Sequence, residues 1–140
     1  MRKLFRNVLL SLICCFCICS LVSCGKGISG DEAKSYIRNF FDAIVAEDYA
    51  QAETFLHPDR PADIEAFILS IEEAKDLDFG DGIEIEKYTG FSSSLYDSTV
   101  GGSSYELTMQ TKVGENNVKI KIEIVKNEAG YGIYNFDVNT

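Results

Sequence analysis

The chain has no tryptophan, a single histidine and only two prolines in 140 residues. One imidazole leaves few options for a metal site or a His-dependent catalytic centre. Cysteine is missing after position 24: Cys14, Cys15, Cys17, Cys19 and Cys24 all lie in the first 24 residues. A domain built from the remainder therefore has no disulfide, and its stability rests on its hydrophobic core. Acidic residues are missing before Cys24, where Arg2, Lys3 and Arg6 carry the charge, and basic ones are scarce beyond it. There, 10 basic residues face 22 acidic ones, a formal charge of −12. Phosphate backbones need a basic face, which argues against a nucleic-acid partner. The chain, 46% hydrophobic, suffices for one globular domain and not for two independent cores.

Arg2, Lys3 and Arg6 make a basic start, followed by an apolar run from residue 8 to residue 22 that is interrupted only by Ser11 and Ser20. A membrane-spanning helix needs roughly 20 residues, more than this run supplies, so the layout is that of a secretory signal peptide. The run ends in Leu21, Val22, Ser23 and Cys24, which resembles the lipobox of bacterial lipoproteins. The resemblance implies that the Cys24 sulfur receives a diacylglycerol, that residues 1 to 23 are removed, and that Cys24 becomes the first residue. A thiolate is the nucleophile that accepts the lipid, and no other side chain here substitutes for it. Cys14, Cys15, Cys17 and Cys19 then act as apolar filler in a discarded segment. Residues 24 to 30 read as the lipidated cysteine and a flexible Gly-rich tether, and residues 31 to 140 as a single domain. Two or more acyl chains anchor durably, and no polybasic patch assists them. The expected location is the outer face of the cell membrane, or an outer membrane, of a bacterium.

From Asp31 onward, Ala33, Tyr36, Ile37, Phe40, Phe41, Ile44 and Val45 recur at steps of three and four, one face of an amphipathic helix capped by Ser29 or Asp31. Asp48, with Gln51 three residues later, opens a short second helix expected to reach His57 and stop at Pro58. Pro61 suits the first turn of a third helix with Ile64, Phe67, Ile68 and Ile71 inward. Beyond Gly82 the period changes to two. A strand starts at Ile83 and runs on through Tyr88 and Phe91, and residues 92 to 104, rich in Ser, Gly and Thr, read as a long mobile connection. Tyr105, Leu107, Met109, Thr111 and Val113 alternate with polar residues, as do Val118, Ile120, Ile122 and Ile124, with a hairpin turn between them. In the last strand the inner face is ambiguous, because Ile133 opposes Tyr134, Phe136 and Val138 in parity.

Helices followed by an antiparallel meander, each with one apolar face, bury those faces against one another, which makes the fold α+β. With paired aromatics Phe40 and Phe41, then Asp48, Tyr49 and Ala52, the layout resembles the nuclear-transport-factor-2-like superfamily, called cystatin-like at the level of fold. The resemblance implies N-terminal helices packed in the concave face of a curved antiparallel sheet. It also implies a cone-shaped pocket in which some members bind small molecules or catalyse isomerisation or dehydration. Tyr36, Phe40, Tyr105, Leu107 and Met109 are candidates to line it, although periodic aromatics also report plain core packing. An enzyme of this type needs an inward acid or base with a shifted pKa. Asp42 and Glu106 fall on wet faces, and Asp137 turns inward only if the last strand does. No catalytic residue, metal or cofactor is expected.

His57, before Pro58, suits a helix end where an imidazole meets free carbonyls. Asp76, Asp78 and Asp81 hint at a calcium loop, but Gly80 and Lys87 stand where its fifth and twelfth ligands belong. Residues 31 to 86 hold 16 acids and 4 bases, against 6 and 5 in residues 87 to 140, so the helical half carries the net charge. Glu72, Glu73 and Asp76 are the candidate partner surface, while a solvated face that maintains solubility explains the same charge. The expected function is a lipid-anchored, non-catalytic binding or accessory module of the cell envelope, with a protein or a small apolar ligand as partner. Two alternatives are an inhibitor or immunity-type lipoprotein against a basic secreted enzyme or toxin, and a small-molecule isomerase- or dehydratase-like enzyme using the cone.

Overall fold

The computed structural model describes residues 27 to 140. Residues 1 to 26, on which the expected signal peptide and the lipidation site Cys24 fall, lie outside them. The first helix, α1 (Gly30–Val45), starts where the Ser29 hydroxyl accepts the Glu32 N–H at 3.2 Å, with Asp31 and Glu32 at the positive end of the helix dipole. It buries Ala33, Ile37, Phe40, Phe41 and Ile44. A short α2 (Tyr49–Glu53) is capped by the Asp48 carboxylate, which accepts the Gln51 N–H at 3.0 Å. The third helix, α3 (Ile64–Lys75), is capped by Asp63 and closed by Asp76 in the left-handed conformation at φ 53°. A single 3₁₀ turn (Phe79–Asp81) leads into the sheet.

Four strands, β1 (Ile83–Asp97), β2 (Gly102–Val113), β3 (Asn116–Lys126) and β4 (Tyr131–Asn139), pair antiparallel in chain order. The protein is therefore α+β, with helices against one face of a meander. Leu107, Met109 and Val113 of β2, and Val118, Ile120, Ile122 and Ile124 of β3, form one core with the inner face of α1. Thr111 is buried among them and donates its hydroxyl to the Val118 carbonyl at 3.0 Å, which removes the cost of burying it.

Four local expectations are revised. The second helix stops at Glu53, where Thr54 turns its hydroxyl back onto the Gln51 carbonyl at 2.6 Å. The chain after it becomes a short parallel partner of β4, with Ile133 N–H donating to Phe55 and His57 N–H donating to Ile133, both at 2.8 Å. Pro61 precedes α3 rather than opening it, because Asp63 supplies the cap. Residues 92 to 104 are not a loose connection: β1 continues to Asp97 and β2 begins at Gly102. Serines are tolerated there because their hydroxyls are used, Ser103 donating to the Leu95 carbonyl at 3.0 Å and Ser94 to that of Tyr96 at 2.8 Å. The parity conflict in the last strand is resolved by a register shift opposite Glu123 and Ile124. Ile133 pairs with Ile124 and Phe136 with Ile122, so Tyr134 is the extra residue and Asp137 stays exposed.

Two buried hydroxyls among the described residues have no partner, those of Tyr88 and Tyr131. Tyr131 stands edge-on to Tyr36 at 4.8 Å, and Tyr36 donates to the Phe55 carbonyl at 3.1 Å. Burial, with Glu32 and Tyr36 nearby, pushes the Tyr131 phenol well above its ordinary value. Above a pH of about 10 the unfolded chain loses this proton while the folded one keeps it, so stability falls as pH rises from there. Tyr131→Phe removes an unsatisfied buried group. Its urea midpoint should be unchanged or higher at pH 7, and its decline at alkaline pH shallower than that of the parent. A clearly lower midpoint at pH 7 would contradict this.

Candidate functional site

The space between α1 and the sheet is filled rather than open. Phe40 and Met109 are fully buried and Leu107 nearly so. Tyr36 is half-buried one turn before Phe40 on the same side of α1, packed edge-on against Phe55 at 5.0 Å. Of the five residues expected to line a cone pocket, Tyr105 and Leu107 meet at an open groove, and the other three do not line it. This groove, about 540 Å³, runs between α1 and the β1–β2 hairpin and is completed by Lys34, Tyr88, Thr89 and Phe91. The Lys34 ammonium lies 4.9 Å from the centre of the Tyr88 ring, a cation–π contact that leaves the groove one positive charge. None of its lining residues is a carboxylate. It offers apolar and aromatic surface, without an acid and base pair for proton transfer.

Lys34, Tyr88 and Phe91 were not legible as site residues. Lys34 falls between the apolar positions of α1, and the β1 side chains acquire a common face only after two register shifts, between Ile85 and Lys87 and between Tyr88 and Gly90. A second groove of about 290 Å³ lies beyond β4, between Leu56, Arg60, Ile64, Phe67, Tyr134 and Phe136. Phe67 stands 5.8 Å from Phe136 and is 37% exposed, so it belongs to this rim and not to the inner face assigned to it.

His57 is wholly buried, and it does not cap a helix. Its Nδ1 accepts the Asp59 N–H at 3.1 Å, which leaves Nε2 to carry the proton and donate it to Asn127 Oδ1 at 3.1 Å. The same Asn127 oxygen accepts the N–H groups of Ala129 at 2.9 Å and Gly130 at 3.2 Å, and its amide donates to the Val100 carbonyl at 2.9 Å. One side chain thus ties the β3–β4 turn, the β1–β2 turn and the segment after α2. The displaced Tyr134 covers this staple, with His57 edge-on at 5.5 Å and the Arg60 guanidinium 4.5 Å over its ring. Asn127→Ala should cost about 2–4 kcal/mol, because several backbone groups and the imidazole lose partners together. Chemical denaturation measures this directly, and a loss under about 1 kcal/mol would show the network to be dispensable.

The acidic candidates divide. Glu72 has a structural task, its Oε1 accepting the Phe79 N–H at 2.8 Å, and Asp76 closes α3. Glu73 is simply exposed. Around Tyr49, partial burial and then Glu72, Glu47, Glu65 and Asp78 raise the phenol pKa, which marks a locally negative surface formed from three parts of the helical half. Among the described residues no group of three or more His, Cys, Asp or Glu side chains is placed to hold a metal ion, and no helix is long and apolar enough to cross a membrane. Cys24 lies outside the described residues. No protein-family model, curated protein or solved structure matches the chain.

Proposed function

We propose that the protein is a lipid-anchored binding or accessory module of the bacterial cell envelope, without catalytic activity of its own. The observation that carries this is the run from Arg2, Lys3 and Arg6 through the apolar segment to Leu21, Val22, Ser23 and Cys24. Its position relative to the domain supports the same reading, since the cap of α1 at Ser29 follows Cys24 by five residues. The domain so held is a small nuclear-transport-factor-2-like unit. A long first helix across the inner face of a four-stranded antiparallel meander supports that assignment, as do three register shifts in β1, which bend an edge strand.

Binding, rather than catalysis, is favoured by where the chemistry is. Carboxylates lie at exposed or half-exposed positions or cap helices, and the interior is hydrocarbon apart from Thr111 and His57, whose polar atoms are hydrogen-bonded. The partner is a protein engaged at the surface, for which the acidic set around Tyr49 is the recognition face. Crosslinking the anchored protein in its own membranes tests this. One specific partner should be recovered, and the association should weaken as salt rises, because exposed charges are screened. Recovery of the same proteins with a variant carrying Lys at Glu47, Glu65 and Asp78 would contradict the assignment of that face.

A further inference from the structure

The most exposed large apolar side chains among the described residues lie along the second half of β1, toward the end of the β1–β2 hairpin: Phe91 is 76% exposed, Leu95 80% and Tyr96 71%. Moving each from water into an apolar medium lowers the free energy. Their surroundings are equally particular. From residue 91 to residue 105 the chain carries one charge, Asp97, and no lysine or arginine, while Ser92, Ser93, Ser94, Ser98 and Thr99 supply hydroxyls. Such a surface suits the boundary between headgroups and acyl chains, where aromatic rings and leucine find hydrocarbon on one side and polar groups on the other.

The position of the hairpin identifies what covers it. Gly27 packs directly on Leu95, since a methyl group added at Gly27 would lie 2.7 Å from Leu95 Cδ2. Gly30 packs in the same way on the Tyr105 hydroxyl, and Ile28 is seated against the core. The segment read as a free tether is therefore laid along the hairpin from residue 27 onward. Gly27 follows Cys24 by three residues, a span of about 11 Å when fully extended, which keeps Leu95 within roughly 15 Å of the lipid-bearing residue. Given the anchoring read from the lipobox, on which this inference rests, the hairpin end cannot leave the membrane surface. We propose that Phe91, Leu95 and Tyr96 rest in the interfacial layer of the phospholipid bilayer that holds the Cys24 lipid. They form a second membrane contact that fixes the orientation of the domain and turns the opposite end, with the β2–β3 turn, toward the solvent. The contact is apolar and needs no anionic lipid, consistent with a domain whose net charge is strongly negative.

The test uses the full chain, matured in its host and purified from membranes, in phosphatidylcholine vesicles. A thiol-reactive environment-sensitive dye is placed at Leu95→Cys and, for comparison, at Glu115→Cys in the β2–β3 turn. Both positions are exposed, and because Leu95 touches Gly27, the urea midpoint of the Leu95→Cys protein is compared with that of the parent to show that the fold is kept. The parent protein, its Cys24 sulfur occupied by lipid, should take up no dye. The Leu95 dye should emit to the blue of the Glu115 dye and be quenched by nitroxide-labelled lipid, in high salt as in low. Adding Phe91→Ser and Tyr96→Ser should reduce that quenching. If the Leu95 dye is as wet as the Glu115 dye while the parent takes up none, the hairpin contact is overturned and the anchor stands. Shelter of the Leu95 dye without quenching by lipid means that a second copy covers the hairpin, which also overturns it, as does equal quenching at both ends. A parent that takes up dye at Cys24 and leaves the vesicles overturns the anchor itself.

Discussion

Replacing Phe40 with Ala should cost the folded domain about 3–5 kcal/mol, which in a domain of this size lowers the thermal midpoint by roughly 15 °C or more. Phe40 is fully buried, and its ring meets Phe41 at 6.0 Å, Phe55 at 6.2 Å and Phe136 at 5.7 Å. It therefore joins α1, the segment after α2 and β4 in one contact set. Truncation removes hydrocarbon burial and leaves a cavity that three different elements would have to move to fill. With native stability of only about 5–15 kcal/mol, the loss is a large share of the whole. Phe91→Ala makes the control, because a side chain 76% exposed should change stability by no more than about 0.5 kcal/mol. Comparable losses at the two positions would contradict the placement of the core. Both transitions should be indifferent to reductant, since no cysteine follows position 24.

Much of this architecture was legible because burial on one face imposes a period. The steps of three and four in α1 identify Ala33, Ile37, Phe40, Phe41 and Ile44, which are buried, and Tyr36 and Val45, which are half-buried. The alternation in β2 and β3 identifies Leu107, Met109, Thr111, Val113, Val118, Ile120, Ile122 and Ile124, all buried, whereas Tyr105 is only half-buried and Val125 is buried off the alternation. The cap at Asp48 followed from local chemistry that involves a single turn. Legibility failed wherever a distant partner decides. Nothing near Phe55 announces that its carbonyl will accept from Ile133, and that pairing ends α2 early. Parity misleads in β4 because one extra residue, Tyr134, shifts the register there. Residues 92 to 104 look like a loop by composition, yet β2 offers them a pairing edge that composition does not encode. The groove at Lys34 and Tyr88 was hidden for the same reason, since the bulges that place Tyr88 and Phe91 depend on the neighbouring strand.

Replacing Cys24 with Ala should move the protein from the membrane fraction to the soluble one and abolish incorporation of labelled fatty acid. The effect should be close to complete. Each buried methylene contributes about 0.8 kcal/mol, so the two or more acyl chains of the proposed anchor would hold the protein stably at the membrane. The three apolar side chains of the hairpin end are too few to replace them, and an acidic domain gains nothing from anionic headgroups. Substituting Cys14, Cys15, Cys17 or Cys19 with Ala should leave both membrane association and labelling intact, because the proposed signal peptide uses those thiols only as apolar filler and is cleaved off.

Central to this account is the identity of the mature N-terminus, and mass spectrometry of protein purified from its own membranes tests it most directly. Lys26 is the first tryptic site after Cys24. The expected result is a terminal peptide of Cys24, Gly25 and Lys26 bearing a diacylglycerol on sulfur, with no peptide from residues 1 to 23. A peptide that spans Ser23 and Cys24 uncut, or Cys24 with a free thiol, would contradict it.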